Sequence, residues 1–254
     1  MKVYVASVEC NNRDRIAWMT KPLYVLYSFY HVSKNGEEVL DYCKSKYCKG
    51  SICDSGAFTF LNSGKSSNFD DYVEQYAQFI KKHNIQHYME MDIDSIVGLN
   101  RVEKYRAHLE NETGVAPIPV WHKSRGKDYF IQMCDEYPYV AIGGLVTHEI
   151  PKRDFPLLRW FVDTAHQHGC KIHGLGLTDM ATLKKVPFDS VDSSSWTSGG
   201  RFGRVTLFDT TTASFRGRSF GVENPRFRMR DTHSIDIINL TEWVKFQKYA
   251  RRHL

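Results

Sequence analysis

Short apolar runs rich in β-branched and aromatic residues alternate along this chain with longer stretches whose apolar positions recur every three to four residues. The short runs predict eight strands, at residues 3–7, 24–29, 50–53, 87–91, 118–121, 139–142, 171–175 and 189–191. Strands alternating with helices are the pattern of parallel βαβ units, because a parallel neighbour is reached only through a long crossover. Three helices have readable ends. One begins at Asn68, carries Asp70 and Asp71 in its first turn and Lys81 and Lys82 in its last, and lines up Phe69, Val73, Tyr76 and Ile80 on one face. A second spans 100–114, with Gly114 as its left-handed stop. The third spans 154–169, with Leu157, Leu158, Phe161, Val162 and Ala165 facing inward.

After the eighth strand the pattern loosens. Residues 197–240, rich in Ser, Thr, Gly and Arg, read as loop and short strands, and 241–252 as a basic amphipathic closing helix. No repeat, low-complexity tract or linker divides the chain. Its 254 residues suit one (β/α)8 TIM-type barrel with a basic C-terminal extension over 197–254.

The net charge of +5 permits an anionic partner without requiring one. The basic residues gather late, where Arg201, Arg204, Arg216 and Arg218 are interleaved with Phe202, Phe208, Phe215, Phe220 and Phe227. Such a stretch is either a solvated basic surface or a phosphate-tracking surface with aromatic platforms. The six cysteines (10, 43, 48, 53, 134 and 170) include no Cys-x-x-Cys pair, which predicts free thiols in a reducing compartment. The first apolar run is too short for a secretory leader, and no window has the length of a membrane span, so the expectation is a cytoplasmic protein.

Candidate chemistry lies at the strand ends. The third strand ends in Asp54-Ser55-Gly56-Ala57-Phe58, the fourth leads to Asp92, and the fifth to His122. The sixth leads to Gly143-Gly144-Leu145-Val146-Thr147-His148-Glu149, the seventh contains His173-Gly174-Leu175-Gly176, and the eighth ends at Asp192. In a (β/α)8 barrel these positions share the C-terminal rim, where reactive groups collect. Each alone has an ordinary explanation as a cap, a turn or a surface histidine. Together they predict a site for a planar polar ligand, with paired glycines that let a flat ring approach the backbone. Two carboxyl groups there can cleave a glycosidic bond, one as nucleophile and one as proton carrier. No Cys or His set has zinc spacing, and no carboxylate partner shared by His122, His148 and His173 is evident, so chemistry without a metal or other cofactor is expected.

These motifs resemble the tRNA-guanine transglycosylase superfamily. Its Asp-Ser-Gly-Gly-Phe is similar to Asp54-Ser55-Gly56-Ala57-Phe58, its Gly-Gly-Leu-Ala-x-Gly-Glu to the run from Gly143 to Glu149, its Met-Gly-x-Gly to His173-Gly174-Leu175-Gly176, and its Phe-Asp-Cys to Val191-Asp192-Ser193. The order and spacing agree. The resemblance implies that Asp192 is the nucleophile on the sugar and Asp54 the general acid and base. It implies that Asp92 reads the donor edge of the base, that Gly144 and Leu145 present backbone groups to it, and that Glu149 tunes that backbone. Ser55, Gly56, His122, Gly143, His173 and Gly174 complete the expected substrate contacts, and the four arginines the expected nucleic-acid contacts.

The departures narrow the resemblance. No cysteine follows Cys170, so the expectation is a form whose zinc subdomain, found in the bacterial and eukaryotic tRNA enzymes, is absent or rebuilt without metal, and which lacks the archaeal RNA-binding domains. Ala57 replaces the second glycine of the first motif, and His173 stands before the third. A short form of this kind is most similar to the phage-type DNA transglycosylases (the DpdA type), which exchange guanine for a 7-deazaguanine base. The expected partners are therefore DNA in preference to tRNA and a free guanine or 7-deazaguanine base, without a membrane. Two readings stay open beside it: a barrel N-glycosidase or glycoside hydrolase that uses the same aspartates with water, and a binding module without turnover.

Overall fold

The computed structural model describes residues 1–10, 20–57, 59, 68–201, 203–219 and 232–254. Seven parallel strands form one sheet: β1 (Lys2–Ala6), β2 (Leu23–Ser28), β3 (Cys48–Asp54), β4 (Val120–Trp121), β5 (Tyr139–Ile142), β6 (Lys171–Gly174) and β7 (Ser190–Ser193), in the order β3-β2-β1-β7-β6-β5-β4. Around them lie α1 (Phe29–Asn35), α2 (Glu37–Lys44), α3 (Phe69–His83), α4 (Asp94–Val97), α5 (Leu99–Thr113), α6 (Gly126–Glu136), α7 (Leu158–Gln167), α8 (Met180–Leu183), α9 (Ser198–Arg201) and α10 (Thr232–His253).

The fourth predicted strand, 87–91, is not an extended member of the sheet. It touches both sheet edges through single bridges, Tyr88 to Cys53 on β3 and Met89 to Ile118 just before β4. Backbone bonds still join it to both sides, Met89 N–H to the carbonyl of Cys53 (2.8 Å) and Glu90 N–H to that of Ile118 (3.0 Å). Side chains engage neighbouring groups: Val120 donates its N–H to Oε1 of Glu90 (2.7 Å), and Tyr76 Oη lies 3.1 Å from the carbonyls of both Cys53 and Met89.

Two apolar layers flank the sheet. The larger fills the space between strands and helices, with Val3, Val5, Val25, Val140, Ile142, Ile172 and Val191 facing Tyr76, Leu109, Phe130, Phe161 and Val162. The smaller lies on the opposite strand face and comprises Tyr4, Ala6, Tyr24, Leu26, Ile52, Met89, Ile118, Val120 and Ala141. Because side chains alternate across a strand, the residues two positions beyond Leu26, Ile52, Val120 and Ala141 share this inner face. They are Ser28, Asp54, His122 and Gly143. The curl of the sheet thus turns a period of two into a shared rim.

The helices depart from expectation in two places. Pro156 makes the first turns of the third predicted helix a 3-10 segment, Lys152–Leu157, and leaves Leu157 61% exposed, while Leu158, Phe161, Val162 and Ala165 are buried as expected. The closing helix α10 begins at Thr232, inside the stretch read as loop. It packs on an antiparallel hairpin, β8 (Arg204–Asp209) and β9 (Ser214–Ser219), whose backbone it grips: Asn239 accepts from Thr206 N–H (2.7 Å) and Glu242 from Phe208 N–H (2.9 Å). Gln247 ties the same helix to the carbonyls of Val3 and Tyr24. No helix among the described residues is long and apolar enough to cross a membrane.

Candidate functional site

Asp54 ends β3, opposite Ser28 on β2, and Gly56 donates its N–H to Oδ1 of Asp54 at 2.7 Å. Gly56 has φ +82, and a Cβ there would lie 2.5 Å from Tyr30 Cβ, so this tight turn requires glycine. Burial pushes Asp54 up to about 6 against the pull of the Gly56 bond, and the charges of Asp192 and Asp92 add to the rise. The three aspartates therefore share one electrostatic site. A carboxyl group raised in this way can hold or release a proton near neutrality.

Asp192 lies on β7, 7% exposed, with Oδ1 held twice: Gly176 N–H donates to it at 2.8 Å, and His173 Nε2 lies 3.1 Å away. His173, paired in register with Ser190, is completely buried. Its Nδ1 meets Ser190 Oγ, which in turn meets Tyr139 Oη. The histidine expected to touch substrate is therefore packed beside the carboxylate instead.

A second cluster gathers around Asp92, beyond the bridged segment 87–91. His122 is clamped between Asp92 (Nε2 to Oδ1, 2.7 Å) and Glu149 (Nδ1 to Oε2, 2.8 Å). Burial opposes its charge, but the bonds to the two carboxylates and the nearby Asp94 prevail and hold it up at about 9. The ring rests against Gly143, where a Cβ would fall 2.6 Å from His122 Cε1, and Gly144, at φ +77, accepts from Ile150 N–H. These side chains line a cavity of about 570 Å3 together with Asp94, Ser95, Ser124, Arg125 and Thr147. Asp92, Asp94 and His122 bring potential ligand atoms within 4.8 Å of one another, a grouping not seen in the sequence. Each is already engaged, Asp94 by Arg125 (3.0 Å), which also pairs with the fully buried Glu90 (2.9 Å).

The remaining expected contacts divide. Ser55 is fully buried and serves its turn, its carbonyl accepting from Tyr72 Oη at 2.6 Å. Gly174 packs beneath Leu177 and Phe188, and Leu145 is 6% exposed. Arg204 and Arg216 are exposed on the hairpin, Arg216 beside Asp209 (3.0 Å). The side chains of Arg201 and Arg218, and residues Phe202, Phe220 and Phe227, lie outside the described residues. Phe208 and Phe215 are not open platforms: Phe208 is buried, and Phe215 stacks on Trp243 at 5.4 Å.

No family profile and no curated protein matches this chain.

The structure adds a carboxyl group that the strand reading passed over. Glu9 follows β1, and its Oε1 accepts from Ser28 N–H at 3.0 Å, while its Oε2 is buried without a partner among the described residues. Burial pushes it up to about 7 against its backbone bonds, and Asp54 adds to the rise. Its signal was available: like the three aspartates, it is a carboxylate just beyond an apolar run.

Proposed function

We propose that this protein is a base-exchanging transglycosylase that replaces guanine in nucleic acid, with DNA favoured over tRNA, by a 7-deazaguanine base. In this reading the curled sheet is a (β/α)8 barrel whose remaining strand is the bridged segment 87–91. The observation that carries the proposal is the division between two carboxyl groups at one rim. Asp54 is raised to about 6 by burial and by its acidic neighbours, whereas Asp192 has one oxygen fixed by Gly176 N–H and His173. Retaining exchange requires such a pair, one carboxyl to form the sugar ester and one to carry the proton.

In the first step Asp192 Oδ2 attacks C1′. The bond from C1′ to the base breaks, its electrons leave with the base, and Asp54 supplies a proton to it. In the second step Asp54 takes the proton from the incoming base, whose nitrogen attacks C1′. The ester bond breaks, and its electrons return to Asp192. Asp92 and Glu149, with the Gly143–Gly144 backbone beside them, face the base, and a carboxylate opposite N–H donors suits a guanine-like edge.

The test is incubation of the protein with labelled guanine or a labelled 7-deazaguanine and either duplex DNA or tRNA, followed by nucleoside mass spectrometry. Incorporation of label with equimolar release of guanine is expected. Release of guanine with no incorporation would establish the hydrolytic reading, and binding without either product would leave only a binding module.

A further inference from the structure

The fully buried His173 does not touch solvent, yet it contacts the proposed nucleophile. We propose that Tyr139, Ser190 and His173 form a one-way hydrogen-bond relay that positions Asp192 and stabilises it as the leaving carboxylate in the second half of the exchange. This deepens the transglycosylase reading and rests on it.

Residue chemistry sets the direction. The carboxylate of Asp192 can only accept, so the 3.1 Å contact requires a proton on His173 Nε2. When that proton is the only one on the ring, as in the Nε2–H tautomer, Nδ1 accepts from the Ser190 hydroxyl, and Ser190 Oγ accepts from the phenol of Tyr139. Every donor points toward Asp192, and each link polarises the next. The backbone builds the relay. Ser190 and Asp192 are two apart on β7 and share its inner face, and His173 is the register partner of Ser190, so one imidazole spans both. Tyr4, the register partner of Asp192, packs edge-on against His173 at 5.9 Å and confines the ring.

The chemical consequence follows from which oxygen is held. Both His173 and Gly176 bond Oδ1, leaving Oδ2 to attack C1′. In the glycosyl ester Oδ1 is a neutral carbonyl oxygen and accepts weakly. When the incoming base attacks C1′ and the C1′–Oδ2 bond breaks, its electron pair restores the carboxylate and the His173 bond regains strength. The relay therefore favours breakdown of the adduct over its formation.

The experiment compares His173→Gln, whose amide nitrogen replaces Nε2, with His173→Asn, whose amide nitrogen replaces only Nδ1. Rapid-quench measurement of adduct formation on nucleic acid, and of its breakdown by added base, gives both rates. Breakdown is expected to slow tenfold to a hundredfold in His173→Asn, the range for losing a hydrogen bond to a charged group. Adduct should accumulate in that variant. His173→Gln keeps the donor to Asp192 but loses the Nδ1 link to Ser190, so it should slow breakdown by a smaller factor, with thermal melting reporting on the fold of each. A His173→Gln rate equal to wild type would remove Ser190 and Tyr139 from the relay and overturn it. Equal effects in both variants, or rates that follow melting temperature alone, would overturn the inference and leave base exchange standing. Imidazole 15N spectra test the relay without turnover: the Nε2–H tautomer is expected for His173, and the Nδ1–H tautomer would overturn it. Absence of any adduct at Asp192 in the wild type would instead overturn the exchange reading, and the role of the relay with it.

Discussion

The Nε2 nitrogen of His122 lies 2.7 Å from Oδ1 of Asp92, so the carboxylate expected to read the base already holds a cation on one oxygen. The clamp leaves the other oxygen of Asp92 for a ligand and turns Glu149 inward from the opposite side. Its strength depends on pH in a defined direction. His122 is held up at about 9, above its unfolded value near 6.5, so the stability it contributes is complete below about pH 6.5 and is lost as pH rises through 9. Wild type should exceed His122→Gln in stability by on the order of 2 kcal/mol at pH 6, with the gap closing above pH 9. Denaturant titrations at several pH values measure it; a gap that does not change with pH would refute the charged clamp.

Gly143→Ala tests the same contact sterically. A Cβ at 143 would meet His122 Cε1 at 2.6 Å and Val120 Cγ1 at 3.1 Å, so the ring must move. A stability loss of about 1–3 kcal/mol is expected, with a weaker discrimination among guanine and its 7-deaza analogues in competition assays. Asp92→Asn should change that ranking more than it changes stability, because a mismatched donor edge leaves polar groups unpaired.

Asp192→Ala and Asp192→Asn should both abolish exchange and adduct formation while the protein still folds. Removal of an acting nucleophile costs at least about a thousandfold in rate. Labelled-base exchange near the wild-type level by a folded Asp192 variant would exclude this residue as nucleophile.

Glu9→Gln should stabilise the protein at neutral and higher pH. The wild-type group is raised to about 7, so its protonated form persists in the folded state while the unfolded chain ionises near 4.5. Folding stability from this group therefore falls as pH rises from about 4.5 to 7. Glutamine keeps the Oε1 acceptor for Ser28 N–H and removes the penalty. A gain on the order of 1–2 kcal/mol at pH 8, vanishing at pH 4, is expected in chemical denaturation. Asp54→Asn should show the same sign over the window up to about 6, and the exchange rate of wild type should bend near that pH.

Charge reversal at Arg204 and Arg216 should weaken nucleic-acid binding uniformly across sequences. It should also flatten the fall of affinity with salt by roughly one ion per lost phosphate contact. Fluorescence anisotropy between low and moderate salt measures both, and an unchanged salt slope would mark the hairpin as a solvated face.

Much of the architecture is legible in the residues themselves, because burial on one face imposes a period of two on strands and 3.6 on helices. Seven of the expected strand positions, the helices at α3 and α5, and the placement of Asp54, His122, Gly143 and Asp192 at strand ends follow from that periodicity. Tertiary structure decided the rest, through contacts between residues far apart in the chain. Segment 87–91 reaches β3 and the approach to β4 only through single bridges, with Glu90 and Tyr76 holding backbone groups beside it, and nothing in their local sequence shows it. Phe208 and Phe215 sit in a basic stretch but are drawn inward by Trp243 and Phe246 of α10, 28 or more positions away. The contacts at the rim were also decided in three dimensions. His173 became a buried partner of Asp192, His122 a clamped cation, and Glu9 a carboxyl coupled to Asp54, because electrostatics and hydrogen bonding act across the strands that folding brings together. Sequence by itself determined which residue types reach the rim, and only packing determined which of them line the cavity and which face one another.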